Sequence, residues 1–306
     1  MAQRNQDKSF FLPQSTKGEN EITFDIMNNK ALYATTFNIM HQNIQPMPNK
    51  LDQIEIFLET LDKRVDALAI TEHWLNAAKL TFIRLAGFRM ASCYARENRI
   101  HGGSCLLVRE GISFVECVDL KEKSIETVIE CSAIEVIVEK LLIINIYRPP
   151  SGDIDVFLTA FTDIMESATR KCKHNVVITG DFNINFQDKD QTNTRNFQNL
   201  LNSFNLNVTI HKPTRVTSTS STTVDNIFTD HSDYTSDVIA SGLSDHFAQI
   251  ILIPARTIEA PKLTYEQRRI VNTNALNTLA EKLSMVEWNF IENESNLNIC
   301  YRKQML

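Results

Sequence analysis

The chain has 306 residues, of which 43% are hydrophobic and 22% charged, and it carries a formal net charge of −6. This composition excludes a disordered polypeptide and leaves enough apolar surface for one large core or two smaller ones. The acidic balance argues against a broadly basic nucleic-acid-binding surface, although a cation held in an acidic site would offset that charge locally.

Residues 1–30, beginning MAQRNQDKSFFLPQSTKGEN, are polar and lack the apolar stretch of a secretory signal, so they read as a solvated tail. ALYATTFNIM reads as a strand. KLDQIEIFLETLDK places Leu51, Ile54, Phe57, Leu58 and Leu61 on one helical face. VDALAIT is a short buried strand, and SCLLVREGISFVEC and SIETVIECSAIEVIVEK are β-rich, with Ile134, Val136 and Val138 alternating against Glu135, Ile137 and Glu139. KLLIINIY is another strand, far short of the ~18 to 20 apolar residues a membrane span needs. After Pro-Pro-Ser-Gly, Asp153 caps a helix expected to bury Val156, Phe157, Ala160, Phe161, Ile164 and Ala168. VVITGDF, TVDNIFT, DVIAS and AQIILIP follow as strands, with a helix around Phe197, Leu200, Leu201 and Phe204.

Hairpin-like strands beside helix-connected ones predict an α/β fold of two packed sheets flanked by helices over residues 31–256. Residues 257–306 read as a helical linker or docking segment whose apolar stripe is thin: Leu276, Leu279, Ala280 and Leu283. Cys93, Cys105, Cys117, Cys131, Cys172 and Cys300 form no CxxC pair, so buried reduced thiols in an intracellular protein are expected, and no zinc site.

VVITGDFNINF poses the functional question. An apolar strand passes through Gly180 straight into Asp181, Asn183 and Asn185. A solvated turn accounts for one such terminus, but the pattern recurs. Asn43 ends the first strand, Glu72 follows the second, Tyr147 ends a third, Asp225 lies in TTVDNIF, and GLSDHF supplies Asp245 and His246. Several polar termini on strands that pack together converge on one rim, which makes a site. Its donors are hard oxygens suited to Mg²⁺, and hydrolysis of a phosphodiester needs a positioned water, charge relief and help for the departing oxygen. Blander roles compete: a turn for Asn43, a helix-start carboxylate for Glu72, a core hydroxyl for Tyr147, an ion pair with Arg215 for Asp225. The remaining histidines lack partners at motif spacing and read as structural, and Gly102 and Gly103 read as a tight hairpin.

HQNIQPMPNKLDQIEIFL, LAITEHWL, HGGSCLLVR, INIYRPPSG, VVITGDFNINF, PTRVTSTSSTTVDNIFTD and SGLSDHF, taken in that order, resemble the endonuclease/exonuclease/phosphatase superfamily, and within it the apurinic-type endonuclease domain of non-LTR retrotransposons. The resemblance runs from about Leu32 to Pro254 and implies a four-layer α/β sandwich with divalent-metal phosphodiesterase activity, using Mg²⁺ or Mn²⁺. By position it makes Glu72 the principal metal ligand, with Asn43 beside it and Asp245 assisting. Asp181 would orient or deprotonate the attacking water, with Asn183 fixing that carboxylate or the phosphate. His246 would stabilise the phosphorus centre or share the proton chemistry, oriented by Asp225, and Tyr147 would donate to the phosphate or leaving oxygen. Which of Asp181 and His246 is the base stays open. Arg148, Thr214 and Arg215 are the expected substrate contacts.

The implied partner is DNA, nicked to leave a 3′-hydroxyl primer at a nuclear site of action, with no membrane and an undetermined oligomeric state. Arg148, Pro149 and Pro150 after Tyr147 depart from repair enzymes and speak against strong abasic-site activity. RRIVNTNALNTLAEKLSMVEW resembles the connector to a reverse transcriptase, so a truncated element, a gene fragment or an excised domain is expected. Two other readings stand beside this one: a same-fold phosphatase or phospholipase acting on a phosphoinositide, sphingolipid or nucleotide, and a non-catalytic DNA-binding relic.

Overall fold

The computed structural model describes residues 36–171, 173–256 and 273–285. The polar tail, Cys172, Cys300 and most of the linker therefore lie outside the described residues. In chain order the elements are β1 (Thr36–Asn43), a 3₁₀ turn (Pro48–Lys50), α1 (Leu51–Thr60), β2 (Ala67–Thr71), α2 (Ala77–Leu80), β3 (Phe88–Tyr94), β4 (Ser104–Arg109), β5 (Phe114–Glu116), α3 (Val118–Lys121), β6 (Glu130–Val136), β7 (Leu141–Tyr147) and α4 (Ile154–Lys171). There follow β8 (Asn175–Asp181), α5 (Thr192–Ser203), β9 (Asn207–Val208), β10 (Arg215–Val216), β11 (Ser221–Thr222), β12 (Asp225–Thr229), β13 (Thr235–Ile239), β14 (Ala248–Pro254) and α6 (Thr273–Ser284). By compactness the chain divides into residues 1–256 and residues 257–306, and α6 belongs to the second unit.

Two six-stranded mixed sheets form the first unit, ordered β13-β14-β1-β2-β4-β3 and β5-β6-β7-β8-β12-β9. Each sheet contains one parallel pair, β1 with β2 and β7 with β8. Parallel neighbours need a crossover, and α1 and α4 supply it. All other sheet pairings are antiparallel. One apolar cluster lies between the sheets, including Phe37, Ile39, Ala69, Ile143, Val177 and Ile251. A second joins β7, β8 and β12 to α4 and α5, with Phe157, Phe161, Phe182, Phe186, Phe197 and Phe228 in mutual ring contact. A third packs Met40, Leu68 and Ile70 against Ile54 of α1. The result is the expected helix, sheet, sheet, helix sandwich.

Two local expectations change, and one strand was not anticipated. Val156 is 44% exposed because α4 buries the stripe through Phe157, Ala160, Phe161 and Ile164, to which Val156 does not belong. The alternation begun at Ile134 and Val136 does not extend to Val138, since β6 ends at Val136 and a turn follows, leaving Ile137 and Val138 exposed. Edge strand β3, which no sequence reading anticipated, is irregularly buried, and a bulge shifts its register between Met90 and Ser92.

Candidate active site

The period-two alternation of a strand builds the site. On β1, Phe37, Ile39, His41 and Asn43 share one face, as do Leu141, Ile143, Asn145 and Tyr147 on β7, and Val177, Thr179 and Asp181 on β8. In each row the apolar residues belong to the inter-sheet cluster, and the row turns polar toward the same end. The polar middle is satisfied internally: the His41 ring sits 2.5 Å from Gln249 and 3.1 Å from Thr71, and Asn145 Nδ2 donates to the Ile70 and Cys105 carbonyls while its Oδ1 accepts from Thr179. The outermost residues converge at the carboxyl ends of the parallel strands.

Asn43 Nδ2 donates to Glu72 Oε1 at 3.0 Å and to Asp181 Oδ2 at 2.8 Å, so one carboxamide ties the two sheets together. Gln45 Nε2 also donates to Glu72 Oε1, and Trp74 Nε1 to Glu72 Oε2, both at 3.0 Å. Tyr147 is buried and bonded to Glu72; burial, reinforced by the charges of Glu72 and Asp181, raises its pKa and keeps it a phenol. Asp181 Oδ1 accepts from the Asn183 backbone, and Asn183 Nδ2 closes the loop onto the Arg148 carbonyl at 2.8 Å. Gly180 is required before Asp181 because a Cβ there would lie 1.9 Å from the Ile146 carbonyl oxygen of the adjacent strand.

Antiparallel β12 sets Asp225 opposite Asp181 in register, and β14, antiparallel to β1, begins beside the end of that strand and brings His246 to the same rim. Asp225 Oδ2 is 2.8 Å from His246 Nδ1, and both side chains are buried. Burial alone would lower the pKa of His246, but Asp225, Asp181 and Asp245 outweigh it and push it up to about 9. Burial and the nearby Asp225 carboxylate push Asp181 up to about 8, against the pull of the His246 cation. One donor atom each from Asp181, Asp225 and His246 lie within 4.8 Å of one another. The buried oxygens Asn43 Oδ1 and Asp225 Oδ1 have no hydrogen-bond partner.

The other expected residues divide. Arg215 pairs with Asp245 Oδ2 through Nε at 2.8 Å and Nη2 at 2.7 Å, both residues are part-exposed, and Asp245 Oδ1 lies 3.9 Å from His246 Nε2. Asp245 is thus beside the histidine and occupied by Arg215, and Asp225 pairs with His246 instead of Arg215. Two of the expected substrate contacts are buried. Thr214 has no exposed surface; its Oγ1 accepts the Asp225 backbone N–H at 3.1 Å and so fixes the start of β12. Arg148 is 6% exposed, its guanidinium spent on the Phe182 and Gly152 carbonyls and the Phe157 ring, where it braces the turn after β7.

Sequence reasoning missed Gln45 and Trp74. Both lie just beyond the ends of their strands, where Gln45, Glu72 and Trp74 have positive φ, so no strand alternation signals them. It also missed Glu130, a fully buried carboxylate paired with Arg96 at 2.6 Å, for which no local signal exists because the partner comes from a different segment.

This architecture, two six-stranded mixed sheets flanked by helices, is the α/β sandwich fold of endonuclease/exonuclease/phosphatase proteins. More narrowly, residues 141–250 match the family model Exo_endo_phos_2, described as endonuclease-reverse transcriptase, a segment that carries Tyr147, Asp181, Asn183, Asp225, Asp245 and His246. The endonuclease domain of TRAS1, a telomere-specific non-LTR retrotransposon, is 16% identical with a TM-score of 0.54, covering 72% of this chain and 99% of its own. A 3′-5′ exonuclease from Neisseria meningitidis is 17% identical with a TM-score of 0.54, covering 70% and 98%. The AP endonuclease of Leishmania major is 11% identical with a TM-score of 0.58, covering 72% and 89%. No curated protein matches by sequence.

Proposed function

We propose that the chain is a divalent-metal-dependent phosphodiesterase that nicks one strand of DNA and leaves a 3′-hydroxyl, the primer for a reverse transcriptase in a full-length retrotransposon, which puts its place of action in the nucleus. The observation that carries this reading is the buried link from Glu72 through Asn43 to Asp181, lying beside an Asp225–His246 pair. The matched family segment supports the choice of DNA over other phosphate esters.

The donor set fits a hard dication: Glu72 is a part-exposed carboxylate, and the Asn43 carboxamide oxygen beside it is buried without a partner. Glu72 and Asn43 would hold Mg²⁺ or Mn²⁺, with Asp245 near the substrate side. When bound, the ion supplies Lewis-acid polarisation of the phosphate and charge neutralisation. Asp181, anchored by Asn43 and the Asn183 N–H, takes a proton from the attacking water as the new O–P bond forms. His246, held protonated with Nδ1–H on Asp225, presents Nε2–H to a non-bridging oxygen, where negative charge develops. The bond from phosphorus to the 3′ oxygen breaks; Tyr147, kept protonated, would hydrogen-bond that oxygen as its charge develops, and the departing oxygen takes its proton from solvent water. Arg215, part-exposed and paired with Asp245, would reach a flanking phosphate by exchanging that carboxylate for it.

The test is nicking of supercoiled plasmid with Mg²⁺ or Mn²⁺, abolished by EDTA, with nicks that a polymerase extends without prior phosphatase treatment. Glu72→Ala should raise the metal concentration needed for half-maximal rate by at least about tenfold, the scale of one lost hard ligand. An unchanged requirement removes Glu72 from the metal site. Release of inorganic phosphate from phosphoinositides or nucleotides, with intact plasmid, would favour the phosphatase reading.

A further inference from the structure

The turn at 101–103 is built with care for a surface hairpin. His101 is exposed, and its ring lies on Trp74 with 4.1 Å between centroids and 31° between planes. The two segments are zipped together by Glu72 N–H to the Gly103 carbonyl at 2.9 Å and Trp74 N–H to the Gly102 carbonyl at 3.0 Å. Gly103 donates to the buried Glu130 carboxylate at 2.6 Å, the same carboxylate that Arg96 neutralises. At Gly103, φ is +95° and a Cβ would lie 2.2 Å from the His73 ring, so only glycine fits over that imidazole. Glu72, Trp74 and His101 are non-glycine residues in the left-handed region, at φ of 55°, 59° and 73°.

Left-handed non-glycine residues persist only where their surroundings impose them, and they gather at functional sites. Here a buried ion pair and a buried imidazole support the backbone on which the exposed ring rests. Core packing does not account for His101. Its distinguishing feature is position: Trp74, its partner, bonds directly to Glu72 Oε2.

We infer that the His101–Trp74 pair is a stacking shelf for one nucleobase of the DNA strand next to the scissile phosphate. Every base has a π-face, and a flat aromatic surface held rigidly beside the metal-ligand carboxylate receives an unstacked base at little entropic cost. The shelf determines which nucleotide is splayed at the cut and so contributes to where the strand opens. The inference rests on the DNA-nicking reading above.

The experiment uses a short fluorescein-labelled duplex carrying a nick site mapped on plasmid, and a series in which a tetrahydrofuran abasic residue replaces one nucleotide after another. Binding is measured by anisotropy in EDTA, which prevents cutting. The wild-type protein should lose about tenfold in affinity at one position beside the nick, the scale of one base on one aromatic side chain. His101→Ala, at an exposed position and with an unchanged melting temperature, should show no loss at that position, and His101→Phe should restore it. A flat profile in a wild-type protein that nicks plasmid, or a dip of equal size in His101→Ala, overturns the shelf and leaves the nicking reading intact. A wild-type protein that neither nicks plasmid nor binds the duplex overturns both.

Discussion

Asp225→Asn tests the electrostatic centre of the proposed mechanism. His246 is pushed up from 6.5 to about 9, which at about 1.4 kcal/mol per tenfold change in proton affinity amounts to about 3 kcal/mol in favour of the imidazolium. Burial opposes this, so the carboxylates of Asp225, Asp181 and Asp245 supply it, and Asp225 at 2.8 Å is the nearest. An asparagine keeps an oxygen near Nδ1 and removes the charge. With the largest of the raising charges gone, the pKa of His246 falls, and the alkaline limb of the pH–rate profile, expected near 9, moves toward neutral pH. Asp225 also holds Asp181 up, so the acid limb, expected near 8, moves down as well. The profile should shift bodily to lower pH while kcat falls by about 10² to 10⁴, the range for loss of a positioned acid–base group, with KM changed little. The assay is initial nicking rate against pH at saturating metal, for wild type, Asp225→Asn, His246→Ala and the double variant. Once the imidazole is gone, the Asp225 substitution should add little, because no ring remains to orient or charge. Additive losses, an unmoved profile, or an effect confined to KM would refute the pairing and reduce Asp225 to a structural carboxylate.

Three further outcomes are expected. Gly180→Ala forces a Cβ to within 1.9 Å of the Ile146 carbonyl, so denaturant unfolding should show destabilisation at the upper end of the about 1–3 kcal/mol typical of overpacking, or more; an unchanged midpoint would mean β7 and β8 are not packed as described. The pKa of His73 is lowered by burial to about 4 from 6.5, so its neutral form contributes about 3 kcal/mol that is fully present above pH 6.5 and lost as pH falls toward 4. His73→Gln should flatten that acid slope in a pH series of unfolding curves, with buried His41 leaving a residual slope. A chain ending at Arg256 should unfold cooperatively and keep most nicking activity, since the unit that carries both sheets and the site ends at Arg256; loss of a cooperative transition would assign later residues to the core.

The primary structure by itself determined the strand and helix periods, the helix cap at Asp153, the two-sheet architecture and the polar residues that end its central strands. These are local properties: an alternation of two, a stripe at 3.6, a capping carboxylate that accepts the Asp155 and Val156 N–H groups. The reason a buried strand ends in Asp181 was also present, since the inward rows of β1, β7 and β8 grade from apolar to polar in every second residue. What only the tertiary structure decided was the pairing of those termini across segments far apart in the chain. That Asp225 faces His246 and not Arg215, that Thr214 is consumed in holding β12, and that Arg148 turns onto Phe157 all follow from sheet register and loop packing. A polar residue in a sequence carries a capacity to bond, and which partner satisfies it is settled by the cost of leaving any buried donor or acceptor alone once the two sheets have closed.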